Sequence, residues 1–135
     1  MKRTALCLCI FALSLSFRLG QAQQTGIELL RQCQAATKFG DSASQTDREI
    51  LDGVHCIGYL SGMRDTLDVW NRANDAYNKG LAPFACVPTE ATAQELAIVV
   101  VKYLNDHPSE LHEPYYSLVY RSLRSAYPCK NGPLS

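Results

Sequence analysis

Residues 46–70 read TDREILDGVHCIGYLSGMRDTLDVW, and this stretch decides the fold. Its first four residues, Thr46 to Glu49, form a T-x-x-E capping box, in which the threonine hydroxyl and the glutamate carboxylate satisfy backbone amides at a helix start. Ile50, Val54, Ile57, Leu60 or Ser61, Arg64 and Leu67 then follow the 3.6-residue period, which predicts a helix running to about Arg72. Gly53, Gly58 and Gly62 stand inside it, each at a cost of about 1 kcal/mol relative to alanine. Such a cost implies that another backbone approaches closely. A break into two shorter helices near Gly58 is the alternative reading, because glycine often ends helices.

Working outward, a first helix spans about Gly26 to Thr37, with Ile27, Leu30 and Gln34 near one stripe and Cys33 beside it. It stops at Phe39-Gly40, and Asp41 to Gln45 reads as a polar loop. On the other side, Asn71 to Leu81 reads as the longest irregular connection, followed by Pro83 and Cys86-Val87-Pro88. Thr89 or Thr92 with Glu95 can cap a third helix, whose face is Leu96, Val99, Val100, Tyr103 and Leu104. The unbroken apolar run Ile98 to Val101 could pass for a buried strand, but its length and the flanking caps favour a helix buried on most sides. His107-Pro108 ends it, since the residue before proline is pushed out of helical angles. Pro114 suits the first turn of a fourth helix, striped by Tyr115, Leu118 or Val119, Ser122 or Leu123 and Ala126, and Pro128 closes it. No convincing strand is present. The predicted fold is all-α, a compact bundle of four main helices.

The six cysteines divide in a way that bears on where the protein works. Cys7 and Cys9 lie in an N-terminal leader: Lys2 and Arg3 come first, Ala5 to Phe17 is an uncharged apolar run, and Gly20-Gln21-Ala22 offers a small-x-small cleavage site. The run is shorter than the roughly 20 residues that span a bilayer. Residues 1–22 are therefore expected to be a cleaved signal peptide and residues 23–135 one exported domain, with no membrane attachment after cleavage. In an oxidising compartment Cys33, Cys56, Cys86 and Cys129 read as two disulfides. Cys86 precedes the third helix and Cys129 follows the fourth, and an antiparallel hairpin brings those ends together. The same logic makes helices one and two neighbours. The expected pairs are Cys33–Cys56 and Cys86–Cys129, each worth about 3 to 4 kcal/mol by loop entropy.

Composition and motifs exclude several function classes. Three basic residues leave with the leader, so the remaining 10 basic and 13 acidic side chains give a formal charge of −3. That balance, without a basic run, argues against nucleic acid and against an anionic membrane surface. Zinc fails on spacing, since no C-x-x-C pair exists and His55, His107 and His112 complete no ligand pattern. No G-x-S-x-G elbow, free thiol nucleophile or phosphate-binding glycine loop appears. Carboxylates at helical spacing, Asp65 and Asp68, read as a solvated face. The chain reads as a binding protein without a catalytic site, metal or cofactor.

Its ordered motifs are Cys56-Ile57-Gly58-Tyr59-Leu60-Ser61-Gly62, Phe84-Ala85-Cys86-Val87-Pro88, Val99 to Leu104, His107-Pro108, Leu111-His112-Glu113-Pro114 and Ala126-Tyr127-Pro128-Cys129. Together these resemble the Rap/Tai immunity proteins over about Cys33 to Cys129. The resemblance implies a periplasmic helical protein whose partner is a cognate peptidoglycan amidase effector delivered by type VI secretion, inhibited by occlusion of its Cys-His cleft. It also implies a homodimer for some members. The glycine-lined face of the second helix would serve that contact or the core, the core being the commoner use of small residues. Tyr115 and Tyr116 depart from the smaller residues of the family's pattern. Immunity contacts diverge to match their effectors, so the partner-binding candidates lie outside the shared motifs. They are Trp70, Asn71, Asn74, Asp75, Tyr77 and Lys79 around the connection, with Trp70 and Tyr77 as aromatic anchors, and then Tyr115, Tyr116 and Tyr120. The alternative is a periplasmic helical binding module or small chaperone without a toxin partner.

Overall fold

The computed structural model describes residues 24–40, 45–77 and 84–129. The leader, residues 41–44, the connection 78–83 and the C-terminal tail lie outside the described residues. Among the described residues four α helices follow in order: α1 (Gly26–Ala36), α2 (Asp47–Ala76), α3 (Ala93–Asp106) and α4 (Tyr115–Ala126), with a short 3-10 turn at Pro108–Glu110. One isolated antiparallel bridge, Thr25 to Pro114, ties the start of α1 to the start of α4. The all-α bundle expected from the periodicity is what the chain forms.

Both capping boxes are present. Thr46 Oγ1 accepts from the Glu49 amide at 3.3 Å while Glu49 Oε2 accepts from the Thr46 amide at 3.0 Å. Thr92 and Glu95 repeat the arrangement at α3, with distances of 3.2 and 2.7 Å. Glu49 is held down at about pKa 2, first by the Thr46 backbone hydrogen bond and then by Lys38, whose ammonium lies 3.1 Å away. Glu95 is lowered by the same kind of backbone bond to Thr92.

The core runs through all four helices: Leu29 and Cys33 of α1, Cys56, Leu60 and Leu67 of α2, Leu96, Val100 and Leu104 of α3, and Leu118, Val119 and Leu123 of α4. Cys33 and Cys56 bridge α1 to α2 inside this core, and Cys86 and Cys129 bridge the approach to α3 to the end of α4. Both bonds are the expected ones. Beside the inner bond, Arg31 of α1 pairs with the buried Asp52 of α2, which also faces Arg48 at 3.7 Å.

Several expectations are corrected. α2 is one unbroken helix and extends to Ala76, so Asn71 to Ala76 are helical rather than loop. An i,i+4 pair, Arg72 to Asp68 at 2.8 Å, supports that last stretch, and no glycine or proline interrupts it before Gly80. The buried faces of the first two helices are also rotated from the expected stripes. Ile27 and Gln34 of α1 and Ile50 and Val54 of α2 are exposed, while Leu29, Gln32 and Gly53 are buried. In α3, Ile98 points out of the expected buried run.

The glycines of α2 split into two kinds. A Cβ on Gly53 would lie 2.4 Å from Phe39 Cζ and 3.1 Å from the Ala36 backbone nitrogen, so the end of α1 does approach closely there. A Cβ on Gly58 or Gly62 would meet nothing within 4 Å. These two glycines do not pack in the core. They lie on the outer face of α2, with exposed Leu51, Val54, His55 and Val69 along the same side.

Candidate functional site: an aromatic ridge across three segments

Beyond Leu67, α2 has no buried residue, and its last turns run alongside residues 84–91, the irregular approach to α3. Asn71 Nδ2 donates to Ala85 O at 3.0 Å, and Arg64 Nη1 donates to Ala91 O at 3.0 Å. Ala85 and Ala91 are buried beneath this segment. Its other edge is fastened to the end of α4 by the Cys86–Cys129 bond and by the Cys86 amide, which donates to Tyr127 O at 3.0 Å.

These ties bring three aromatic side chains from three parts of the chain into one row. Trp70 of α2 lies 5.2 Å from the Phe84 ring, and Phe84 lies 5.4 Å from Tyr120 of α4 in an edge-to-face arrangement. Arg124, one turn on in α4, donates to Tyr120 Oη at 2.6 Å and sits over its ring. Trp70 is 41% exposed and Phe84 39%. A Trp and a Phe held half in solvent by mutual ring contacts are an ordered apolar surface, costing little further conformational entropy when a partner covers them. Next to the row is a pocket of about 170 Å³, lined by residues that include Arg64, Asp65, Asp68, Asn71, Val87 and Thr89. Asn71 Oδ1 is buried without a hydrogen-bond partner among the described residues.

The sequence-derived candidates fall into distinct places. Trp70 is in the ridge and Asn71 supports it. Asp75 is exposed and Asn74 half-buried on the same final stretch of α2, with Tyr77, 74% exposed, just past its end. Lys79 lies outside the described residues. On α4, Tyr116 is 65% exposed and Tyr120 completes the ridge. Tyr115 is elsewhere: it is 5% exposed, packs edge-to-face on Tyr59 and donates its hydroxyl to Gln32 Oε1 at 3.1 Å. Burial pushes its phenol up to about 12. Adjacent residues on a helix point 100° apart, so Tyr115 and Tyr116 divide between core and solvent. Phe84, the residue joining the two candidate groups, was not among the candidates. It stands in the Phe84-Ala85-Cys86 motif, and its position two residues before a disulfide cysteine was the available signal.

No helix among the described residues is long and apolar enough to cross a membrane. No curated protein and no solved structure matches the chain. A family model, described as Rap1a immunity proteins, matches residues 25–129. That span takes in all four helices, both disulfides and every residue of the ridge, and on that match the chain belongs to the Rap1a immunity protein family.

Proposed function

We propose that this chain is a periplasmic immunity protein that docks its Trp70–Phe84–Tyr120 ridge onto a peptidoglycan amidase effector of type VI secretion and covers the catalytic cleft. The observation that carries this reading is the ridge itself: exposed Trp70 of α2 and Phe84 of residues 84–91 held in mutual contact with the half-buried Tyr120 of α4, in a member of an immunity family. Aromatic anchors of this kind dominate interface energies, and in this reading Asn71, bonded to Ala85 beside the row, and the exposed Tyr116, one turn before Tyr120 on α4, contribute to the polar rim. In this reading residues 1–22 are a cleaved export signal, residues 23–135 act as one domain in an oxidising compartment, and the protein inhibits by binding, with no catalysis and no cofactor of its own.

The test is to mix oxidised residues 23–135 with peptidoglycan amidases encoded in the same genome, beginning with any encoded beside this chain, and to record complex formation and peptidoglycan hydrolysis. Stoichiometric loss of hydrolysis with a tight complex is the expected result. Trp70→Ala should weaken the complex by about 2 kcal/mol or more, roughly thirtyfold, with helicity intact. Tight binding that Trp70→Ala leaves unchanged would place the interface elsewhere. Binding to many unfolded proteins and to no amidase would point to a chaperone instead.

The outer face of α2 supports a second element of the same reading, a homodimer. Gly58 and Gly62 leave open space there between exposed Leu51, Val54 and Val69, which suits close approach of a second helix. Sedimentation of the wild-type chain against Gly62→Arg tests it: a dimer converted to monomer supports this face, and an unchanged state rejects it.

A further inference from the structure

The two disulfides differ in access. Cys33 and Cys56 are completely buried, whereas Cys86 is exposed and Cys129 half-buried. Thiol–disulfide exchange requires an attacking thiolate to reach a sulfur, so it selects the accessible bond. Around Cys86 the chain is irregular; among the described residues three hydrogen bonds tie it to the helices and the chain end, the Cys86 amide on Tyr127 O, Asn71 on Ala85 O and Arg64 on Ala91 O, and the small side chains of Ala85 and Ala91 are its buried contacts with the core. Phe84, the middle ring of the ridge, is only two residues from Cys86.

We propose that the Cys86–Cys129 bond is a redox-sensitive latch that assembles the ridge: oxidised, it holds Phe84 between Trp70 and Tyr120; reduced, it releases residues 84–91 while the four-helix core stays folded. The core persists because its own bond is inaccessible and because Leu96, Leu104, Leu118 and Leu123 bury α3 and α4 independently of the latch. The reductant is a dithiol. One of its thiolates attacks Cys86 or Cys129 Sγ, forming a mixed disulfide and expelling the other cysteine as a thiolate. The reductant's second thiol then displaces the remaining cysteine and closes its own disulfide. Two electrons pass to the protein, and the two protons lost by the dithiol end on the two cysteine thiols. An oxidising disulfide reverses the sequence. The consequence for binding rests on the ridge being the docking surface: a newly made chain with free thiols does not present it, and competence begins where disulfides form.

Trp70 is the chain's one tryptophan, so its emission reports the ridge without any partner. Oxidised residues 23–135 are titrated with dithiothreitol without denaturant. Thiols are alkylated and mapped, and helicity, Trp70 emission and acrylamide quenching are recorded, with Cys86→Ser/Cys129→Ser as the permanently open form. Cys86 and Cys129 should alkylate at least about tenfold faster than Cys33 and Cys56. Quenching of Trp70 should rise in step with that alkylation and in the double variant, at constant helicity. Equal labelling of both pairs, loss of helicity together with the labelling, or an unchanged Trp70 would each overturn the latch. If Trp70 responds as expected but affinity for the amidase does not change, the latch stands and the ridge is refuted as the docking site.

Discussion

The two disulfides mark two regions built on opposite terms. Cys33–Cys56 lies in the core with Leu29, Leu60 and the closely approaching Ala36 and Gly53, and the buried Asp52 nearby is paired with the exposed Arg31. Around Cys86–Cys129 the backbone is irregular, the rings stand half in solvent, and one buried acceptor, Asn71 Oδ1, has no hydrogen-bond partner among the described residues. The first region satisfies its groups internally, so changes there act on folding. The second leaves apolar rings half in solvent, and under the proposed function changes there act on binding.

The largest effect should come from exchanging the roles of the two bonds. Loop entropy alone gives about 3 kcal/mol for the 23-residue separation and about 4 kcal/mol for the 43-residue one. Cys33→Ser/Cys56→Ser also buries two hydroxyls in the core, at about 1–3 kcal/mol each. It should therefore cost more than about 5 kcal/mol, enough to unfold a domain of this size. Cys86→Ser/Cys129→Ser, with its sites at the surface, should remain folded. Denaturant unfolding of both variants decides this; equal losses would erase the distinction between the regions.

A smaller effect sharpens the comparison within a single helix. Gly58→Ala should stabilise the monomer by up to about 1 kcal/mol, because alanine is the better helix former and its Cβ meets nothing. Gly53→Ala should do the reverse by about 1 kcal/mol or more, since its Cβ would press on Phe39 and on the Ala36 backbone. Thermal melting of the pair reads the sign directly, and two shifts of the same sign would contradict the packing described.

The smallest effect concerns the cap of α2. Thr46→Ala should cost about 1 kcal/mol at neutral pH. Glu49 has its folded pKa depressed from 4.5 to about 2, so the unfolded chain takes up a proton first as pH falls. The contribution of Glu49 is thus complete above about pH 4.5 and is lost between there and about 2. Acid titration of stability in wild type and Thr46→Ala should show a shallower fall for the variant in that window.

Much of this fold was legible in the sequence, for identifiable reasons. T-x-x-E boxes fix helix starts locally, and the positions of four cysteines on a hairpin plan fix the pairing, so neither depended on distant contacts. The buried faces of α1 and α2 are not legible in the same way, because a helix with apolar residues on several sides, such as Ile50, Leu51, Val54, Ile57 and Leu60, offers more than one stripe to the 3.6-residue period. The sequence places the end of α2 too early because Asn and Asp favour turns, whereas the Asp68–Arg72 pair and the bond from Asn71 to Ala85 hold the helix on to Ala76. Helix spacing had already put Tyr115 on the buried stripe, and the structure agrees with that spacing. The ridge was half visible. Trp70 and Tyr120 stood out as aromatics, but their meeting through Phe84 is a long-range contact that no local pattern encodes.

Phe84 is therefore the most direct test of the division between the two regions. Phe84→Ala removes the middle ring without touching the buried core, and its thermal stability and amidase affinity can be measured on one preparation. The expected result is a melting temperature within a few degrees of wild type and binding weakened by about 2 kcal/mol or more, roughly thirtyfold. A variant that melts far lower, or that binds the amidase as tightly as wild type, would contradict it.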